Sequence, residues 1–111
     1  MGLRDIELAA IQAHILHHAA QQRIYGQWMM EELARHGYRL SYGTLYPTLH
    51  RMLEDGLLVR EEVREGSQVR KYYTATPAGR ETLAQTRQRI RELYRELVEE
   101  AGEDHGDGEA E

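Results

Sequence analysis

Ser41-Tyr42-Gly43-Thr44-Leu45-Tyr46-Pro47-Thr48-Leu49-His50-Arg51-Met52-Leu53-Glu54-Asp55-Gly56 is spaced as a short helix with two unlike faces. Leu45, Leu49, Met52 and Leu53 recur at i, i+4, i+7 and i+8, the spacing of a buried stripe. The opposite face carries Thr44, Pro47, His50 and Arg51, with no carboxylate before Glu54. Hydroxyl, ring and guanidinium groups without intervening acids suit a helix that lies against a polyanion. Ser41 or Thr44 is a candidate N-cap, and Pro47 favours the later start, because proline is tolerated in a first turn and costly deeper. Gly56 ends the helix.

Working outward, Asp5 to about Gln22 reads as a first helix, with Leu8, Ile11, Ile15 and Ala19 inward and Leu16 on the flank. Gly26 opens a second helix that buries Met29, Met30 and Leu33 and stops at Gly37. On the other side, Leu57 to Arg64 and Gln68 to Ala75 alternate as strands, with Glu65-Gly66-Ser67 as the turn. The alternation turns Leu57, Val59 and Val63 one way, with Val69, Tyr73 and Ala75 able to face them. Thr76-Pro77 reads as N-cap and first residue of a last helix reaching about Glu100, roughly 36 Å long. Leu83, Ile90 and Leu97 repeat every seventh residue, with Thr86, Leu93 and Tyr94 between, a narrow coiled-coil seam.

The expected fold class is mainly α with a two-stranded β-hairpin: a winged helix-turn-helix plus a long C-terminal dimerisation helix. The expected division is a winged-helix domain over 1–76, a dimerisation helix over 77–101 and a disordered acidic tail over 102–111. So long an apolar seam on so small a body calls for a second copy, and Leu83, Ile90, Leu93, Tyr94 and Leu97 are the candidate dimer contacts. The competing reading folds the seam back onto the first helix of its own chain.

The net charge of −5 at first argues against nucleic acid. Five of the acids lie in the tail, however, leaving fourteen acids against fourteen Lys and Arg over residues 1–100, so placement decides. With no cysteine, disulfides and thiolate metal sites are excluded. No apolar run is long enough to cross a bilayer and no signal-peptide pattern opens the chain, so a cytoplasmic location without membrane contact is expected. Phosphate loop, cysteine nucleophile and paired catalytic acids are all missing, so no enzyme, cofactor or metal is expected, and Glu31-Glu32 and Glu99-Glu100 read as solvated helix surface.

Gly43-Thr44-Leu45-Tyr46-Pro47-Thr48-Leu49, Leu53-Glu54-Asp55-Gly56-Leu57 and Lys71-Tyr72-Tyr73-Thr74-Ala75-Thr76-Pro77-Ala78-Gly79 together resemble the PadR family of transcriptional regulators. The likeness extends from about Ile6 to Leu97 and is closest to the small branch with a single C-terminal helix. It implies a homodimer that sets its third helices in adjacent major grooves of double-stranded DNA. It also implies repression relieved by a small effector, which in some small relatives is a flat apolar compound held between subunits. In one departure, the family's Gly-Tyr at the head of helix two is replaced by Gly26-Gln27, with Tyr25 ahead of it.

The residues assign roles within that picture. Ser41, Tyr42 and Thr44 suit phosphate at a helix N-terminus. His50 and Arg51 suit base edges, and Pro47 a thymine methyl. Arg39 and Thr48 complete the candidate set on this helix and its lead-in. Tyr46 is read either as a core-rim residue or as a DNA contact. Arg64, Ser67, Gln68, Arg70 and Lys71 form the wing set, set against a solvated strand face screened by Glu61, Glu62 and Glu65. Trp28, opposite Met29 and Leu33, is a candidate for packing under the partner's terminal helix or for contact with an aromatic or apolar effector. His14 and His18 lie one turn apart and allow a metal-responsive or pH-sensitive alternative. A winged helix that binds proteins without reading DNA is the other alternative.

Overall fold

The structure, a computed structural model, describes residues 2–102. Its elements run α1 (Leu3–Gln21), α2 (Gly26–Arg35), α3 (Tyr42–Glu54), β1 (Leu58–Glu65), β2 (Gln68–Ala75) and α4 (Pro77–Tyr94), which continues into a π-helical turn over Arg95–Glu100. Of the expected acidic tail, Gly102 extends this helix and 103–111 lie outside the described residues.

Ile15, Ile24, Met29, Leu33, Leu45, Leu49 and Met52 are the largest fully buried side chains, and they come from α1, α2, α3 and the linker between α1 and α2. Burying each such side chain contributes about 1.5–3 kcal/mol, so this three-helix contact is the main source of stability. Two identical devices set the helix order. At the end of α2, Gly37 adopts φ 89°, its N–H reaches the Ala34 carbonyl, and the Tyr38 N–H reaches the Leu33 carbonyl. At the end of α3, Gly56 adopts φ 76°, with Gly56 N–H on Leu53 and Leu57 N–H on Met52. Both are Schellman caps, which need a left-handed residue and therefore glycine.

The second cap corrects the expected facing of β1. Leu57 is spent as the residue that closes α3, and its carbonyl accepts from the Thr76 N–H. The strand begins one residue later, so Leu58 is buried and Val59 is 55% exposed. The inward partners on β2 are Tyr73 and Ala75, while Val69 near the tip is 52% exposed. β1 and β2 pair antiparallel, with Leu58 opposite Ala75, Arg60 opposite Tyr73 and Glu65 opposite Gln68. The turn is the two-residue Gly66-Ser67, with φ 66° at Gly66. Ile24 bridges Tyr73 through two backbone hydrogen bonds of 2.9 and 2.7 Å, so the α1–α2 linker is tied to β2 at this one point.

α3 begins at Tyr42 with Ser41 as N-cap, one turn earlier than Pro47 favours. Pro47 therefore sits inside the helix, where its missing N–H leaves the Gly43 carbonyl without its helical donor. α4 starts as expected: Pro77 is its first residue, and the Thr76 hydroxyl accepts from the Gly79 N–H at 2.9 Å and donates to the Gly56 carbonyl. Gly79 rests on the Leu57 carbonyl so closely that a Cβ there would overlap it.

Candidate DNA-binding surface

The outer face of α3 is open. Tyr42 and Tyr46 are 45% and 43% exposed and stack at 5.7 Å, and Pro47, His50 and Arg51 are exposed beside them. Tyr46, Pro47, His50, Arg51 and Glu54 line one shallow groove. His50 lies 3.8 Å from Glu54, a loose pair at a solvent-facing site. Arg51 has no carboxylate within 4.0 Å among the described residues, and the same holds for Arg39, Arg64 and Lys71. Cations without an internal partner can be given to phosphate or base edges at no cost in lost ion pairs. Thr44 and Thr48 are half-buried, and the Thr48 hydroxyl donates to the Thr44 carbonyl at 2.8 Å.

Tyr46 is a hinge between surfaces. Its ring lies over Gly26, where a Cβ would collide with the phenol, and it faces the wing across a cleft. That cleft is lined by Tyr25, Gly26, Gln27, Tyr46, Gln68 and Arg70, with Val69 and Lys71. The first turn of α2 borders it through Tyr25, Gly26 and Gln27, just ahead of the first helical hydrogen bond, from the Met29 N–H to the Tyr25 carbonyl. Arg39, Ser41 and Thr44 line a separate hollow with Arg4 and Tyr38, where the start of α3 meets α1. The fold thus gathers Tyr46, Gln68, Arg70 and Lys71 in one place and Arg39, Ser41 and Thr44 in another, with Pro47, His50 and Arg51 between them. Arg64 and Ser67 stand apart, near the wing tip.

Arg70 is engaged within the chain. Its guanidinium lies 4.1 Å from the centre of the Tyr25 ring and 3.4 Å from the Glu65 carboxylate. Arg4, Gln12 and Gln27 border the α3 face and are additions to the expected set. Arg4 and Gln12 sit on the solvent side of α1 in sequence, and only its crossing beside α3 brings them near. Gln27, directly after the glycine that opens α2, had a legible signal.

Two further expectations change. Leu83 is 5% exposed and packs in the chain's own core, so the open apolar stripe of α4 begins only at Ile90. Glu32 is 8% exposed rather than solvated. It lies 3.4 Å from His18, 3.2 Å from His36 and 3.7 Å from Arg35. His14 and His18 stack in parallel at 6.4 Å, and His14 also stacks on His36 at 4.8 Å. Among the described residues, no group of three or more His, Cys, Asp or Glu is arranged to hold a metal ion. Trp28 is half-buried, edge-on to His18 at 5.2 Å. No helix among the described residues is long and apolar enough to cross a membrane.

Three helices, a capped helix pair leading into an exposed third helix, and a hairpin beside it define a winged helix-turn-helix. The family described as Transcriptional regulator PadR-like matches residues 15–85. Transcriptional regulator Rv3488 of Mycobacterium tuberculosis is 52% identical over 91 residues, covering 82% of this chain and 85% of that protein. The crystal structure of a PadR family transcriptional regulator from Eggerthella lenta superposes with a TM-score of 0.77 at 27% identity, covering 87% of this chain and 86% of the other. A PadR-like transcriptional regulator from Bacillus cereus gives 0.73 at 27% identity, covering 80% and 88%. The chain belongs to the PadR-like family; it is a DNA-binding transcriptional regulator and not an enzyme.

Proposed function

We propose that two copies of this chain pair through α4 and repress transcription by setting each α3 into a major groove of an inverted-repeat operator. The observation that carries the DNA half is the outer face of α3, exposed from Tyr42 to Arg51 and without a carboxylate until Glu54. The helix start and Arg39 serve phosphate, Arg51 and His50 serve base edges, and Lys71, Gln68 and Arg64 serve the flanking backbone. The dimer half is supported by apolar side chains that one subunit leaves in water. Ile90, Leu93, Tyr94, Leu97 and Val98 are 51–64% exposed along one rod, and Leu3 and Ile6 on α1 are exposed as well. A stripe of that size is characteristic of an interaction surface.

Relief by a flat apolar effector belongs to the same reading. The groove of about 300 Å³ between α1 and α4 offers the chemistry, lined by Ala10, Ala13, Leu83, Thr86 and Ile90 with His14, His17 and Arg87. Trp28 does not line this groove and packs, half-buried, against the subunit's own core. A cytoplasmic site of action accompanies this function.

Selection of bound duplexes from a random pool tests the reading. The expected product is an inverted repeat with half-sites about 10 base pairs apart, bound with steep salt dependence. Arg51→Ala is expected to cost about 1–3 kcal/mol of specific binding and to relax preference at one base position. An equal loss on every duplex removes the base-reading role, and an asymmetric single half-site removes the dimer.

A further inference from the structure

The distal wing has little core to hold it. Within β1 only Leu58 is buried, and from Gln68 to Lys71 no side chain of β2 is buried. An isolated two-stranded hairpin is marginal in water. Something outside the hydrophobic core must fix its direction.

The α1–α2 linker supplies it. Because Ile24 pairs with Tyr73, alternation sends Ile24 into the core and turns Arg23 and Tyr25 to the opposite face of the sheet. On that face Tyr72 and Arg70 are the neighbours. The Arg23 guanidinium lies 4.1 Å from the centre of the Tyr72 ring, and the Arg70 guanidinium lies 4.1 Å from the centre of the Tyr25 ring. The two rings meet edge to face at 5.7 Å. Carboxylates lock both ends: Tyr72 donates to Glu65 at 2.6 Å, Glu65 pairs with Arg70 at 3.4 Å, and Glu61 lies 3.8 Å from Arg23. Cations and rings thus alternate between linker and wing, with the linker and β2 each giving one of each.

We infer that the interleaved pairs Arg23–Tyr72 and Tyr25–Arg70 are a positioning clamp that fixes the wing relative to α3 and thereby determines the flanking DNA contact. Tyr25 is the N-cap residue of α2 and lines the cleft beside Tyr46, so the clamp ties the wing to the element against which α3 packs. Arg70 acts through Tyr25 and Glu65 rather than on phosphate. Lys71, one residue on and on the other face of the strand, is the cation the clamp aims. The inference rests on the DNA reading above.

The test uses the duplex that the wild-type protein selects, with hydroxyl-radical footprints and melting curves for Tyr25→Leu, Tyr25→Phe and Arg23→Gln. Tyr25→Leu removes the ring face, whereas Tyr25→Phe keeps it. The expected result for Tyr25→Leu and Arg23→Gln is loss of protection at the flanks with the centre retained. Each variant removes one cation–ring contact, which at ordinary strength corresponds to about two- to fivefold in affinity. Tyr25→Phe should restore both the flanks and the affinity. Arg23→Gln leaves the N-cap of α2 untouched, so it carries the test should Tyr25→Leu melt early. Flanks still protected in Arg23→Gln, or a Phe variant as impaired as the Leu variant, overturn the clamp while the DNA reading stands. A wild-type protein that protects no duplex overturns both.

Discussion

Glu32 shows how much one side chain can depend on residues remote in sequence. Burial opposes its ionisation, but the His36 hydrogen bond and the charges of Arg35, His18 and His36 outweigh it and hold the carboxyl below its ordinary value. The imidazoles of His14 and His18 are also held low. For His14 the cause is burial first, then His36, His18 and His17, with Glu32 opposing; for His18 it is burial, with Glu32 opposing and His17, His36 and Arg35 adding to the depression. A histidine held low in the fold binds fewer protons there than in the unfolded chain. Its contribution is therefore complete above the unfolded value of about 6.5 and is lost as pH falls from there through the folded value. The contribution of Glu32 survives to lower pH, because a depressed carboxyl gives up its stabilisation only below the ordinary carboxylate range. The urea midpoint should fall between pH 7 and pH 5.5, and His14→Phe, which keeps a ring against His36 and Tyr38, should flatten that fall. An unchanged pH slope in His14→Phe assigns the effect elsewhere.

Among the elements, the joint before α4 is the most economical. Thr76 caps the helix through Gly79 and reaches back to the carbonyl of Gly56, the residue that ends α3. Thr76→Ala removes both contacts and should cost about 1–2 kcal/mol, read as a lower urea midpoint, while Thr76→Ser should stay near wild type. That joint was legible, since Thr-Pro before an apolar period is a helix start and both Gly37 and Gly56 mark helix ends. The open face of α3 was legible for the same reason: one helical period separates its apolar and polar residues. The facing of β1 was not. Alternation alone cannot tell that Leu57 closes α3 rather than opening the strand, and a one-residue offset reverses every side chain. The Arg–Tyr clamp and the Glu32 cluster depend on pairings between distant segments, which no local period encodes. Pro47 misled in a physical way: its cost deep in a helix is real, yet the buried stripe of Leu45, Leu49 and Met52 carries the helix through it.

Across the whole molecule, α4 divides into two halves with different work. Its first turns, with Gly79 and Leu83 buried, belong to the core of the subunit. Its second half, from Ile90, leaves its apolar side chains in water. Leu83→Ala should therefore destabilise the fold by about 2–5 kcal/mol. Leu93→Glu with Leu97→Glu should leave the melting of the winged helix near wild type but yield monomers in sedimentation equilibrium and abolish binding to a two-half-site duplex. Dimers that persist in the double variant would move the interface to Leu3 and Ile6 on α1.

The close seating of Gly79 on the Leu57 carbonyl has a geometric consequence. At Gly79 the rod from Pro77 to Glu100 meets the Leu57 carbonyl with no side chain between the two backbones, and Leu16 closes in beside them, so backbone on backbone helps set its launch direction. Over a lever of about 36 Å, a tilt of about 5° would carry the far end about 3 Å sideways. In the proposed dimer, built on two such levers, that error would reach the gap between the two α3 helices, so a single absent methyl group would act as the gauge of the molecule's span.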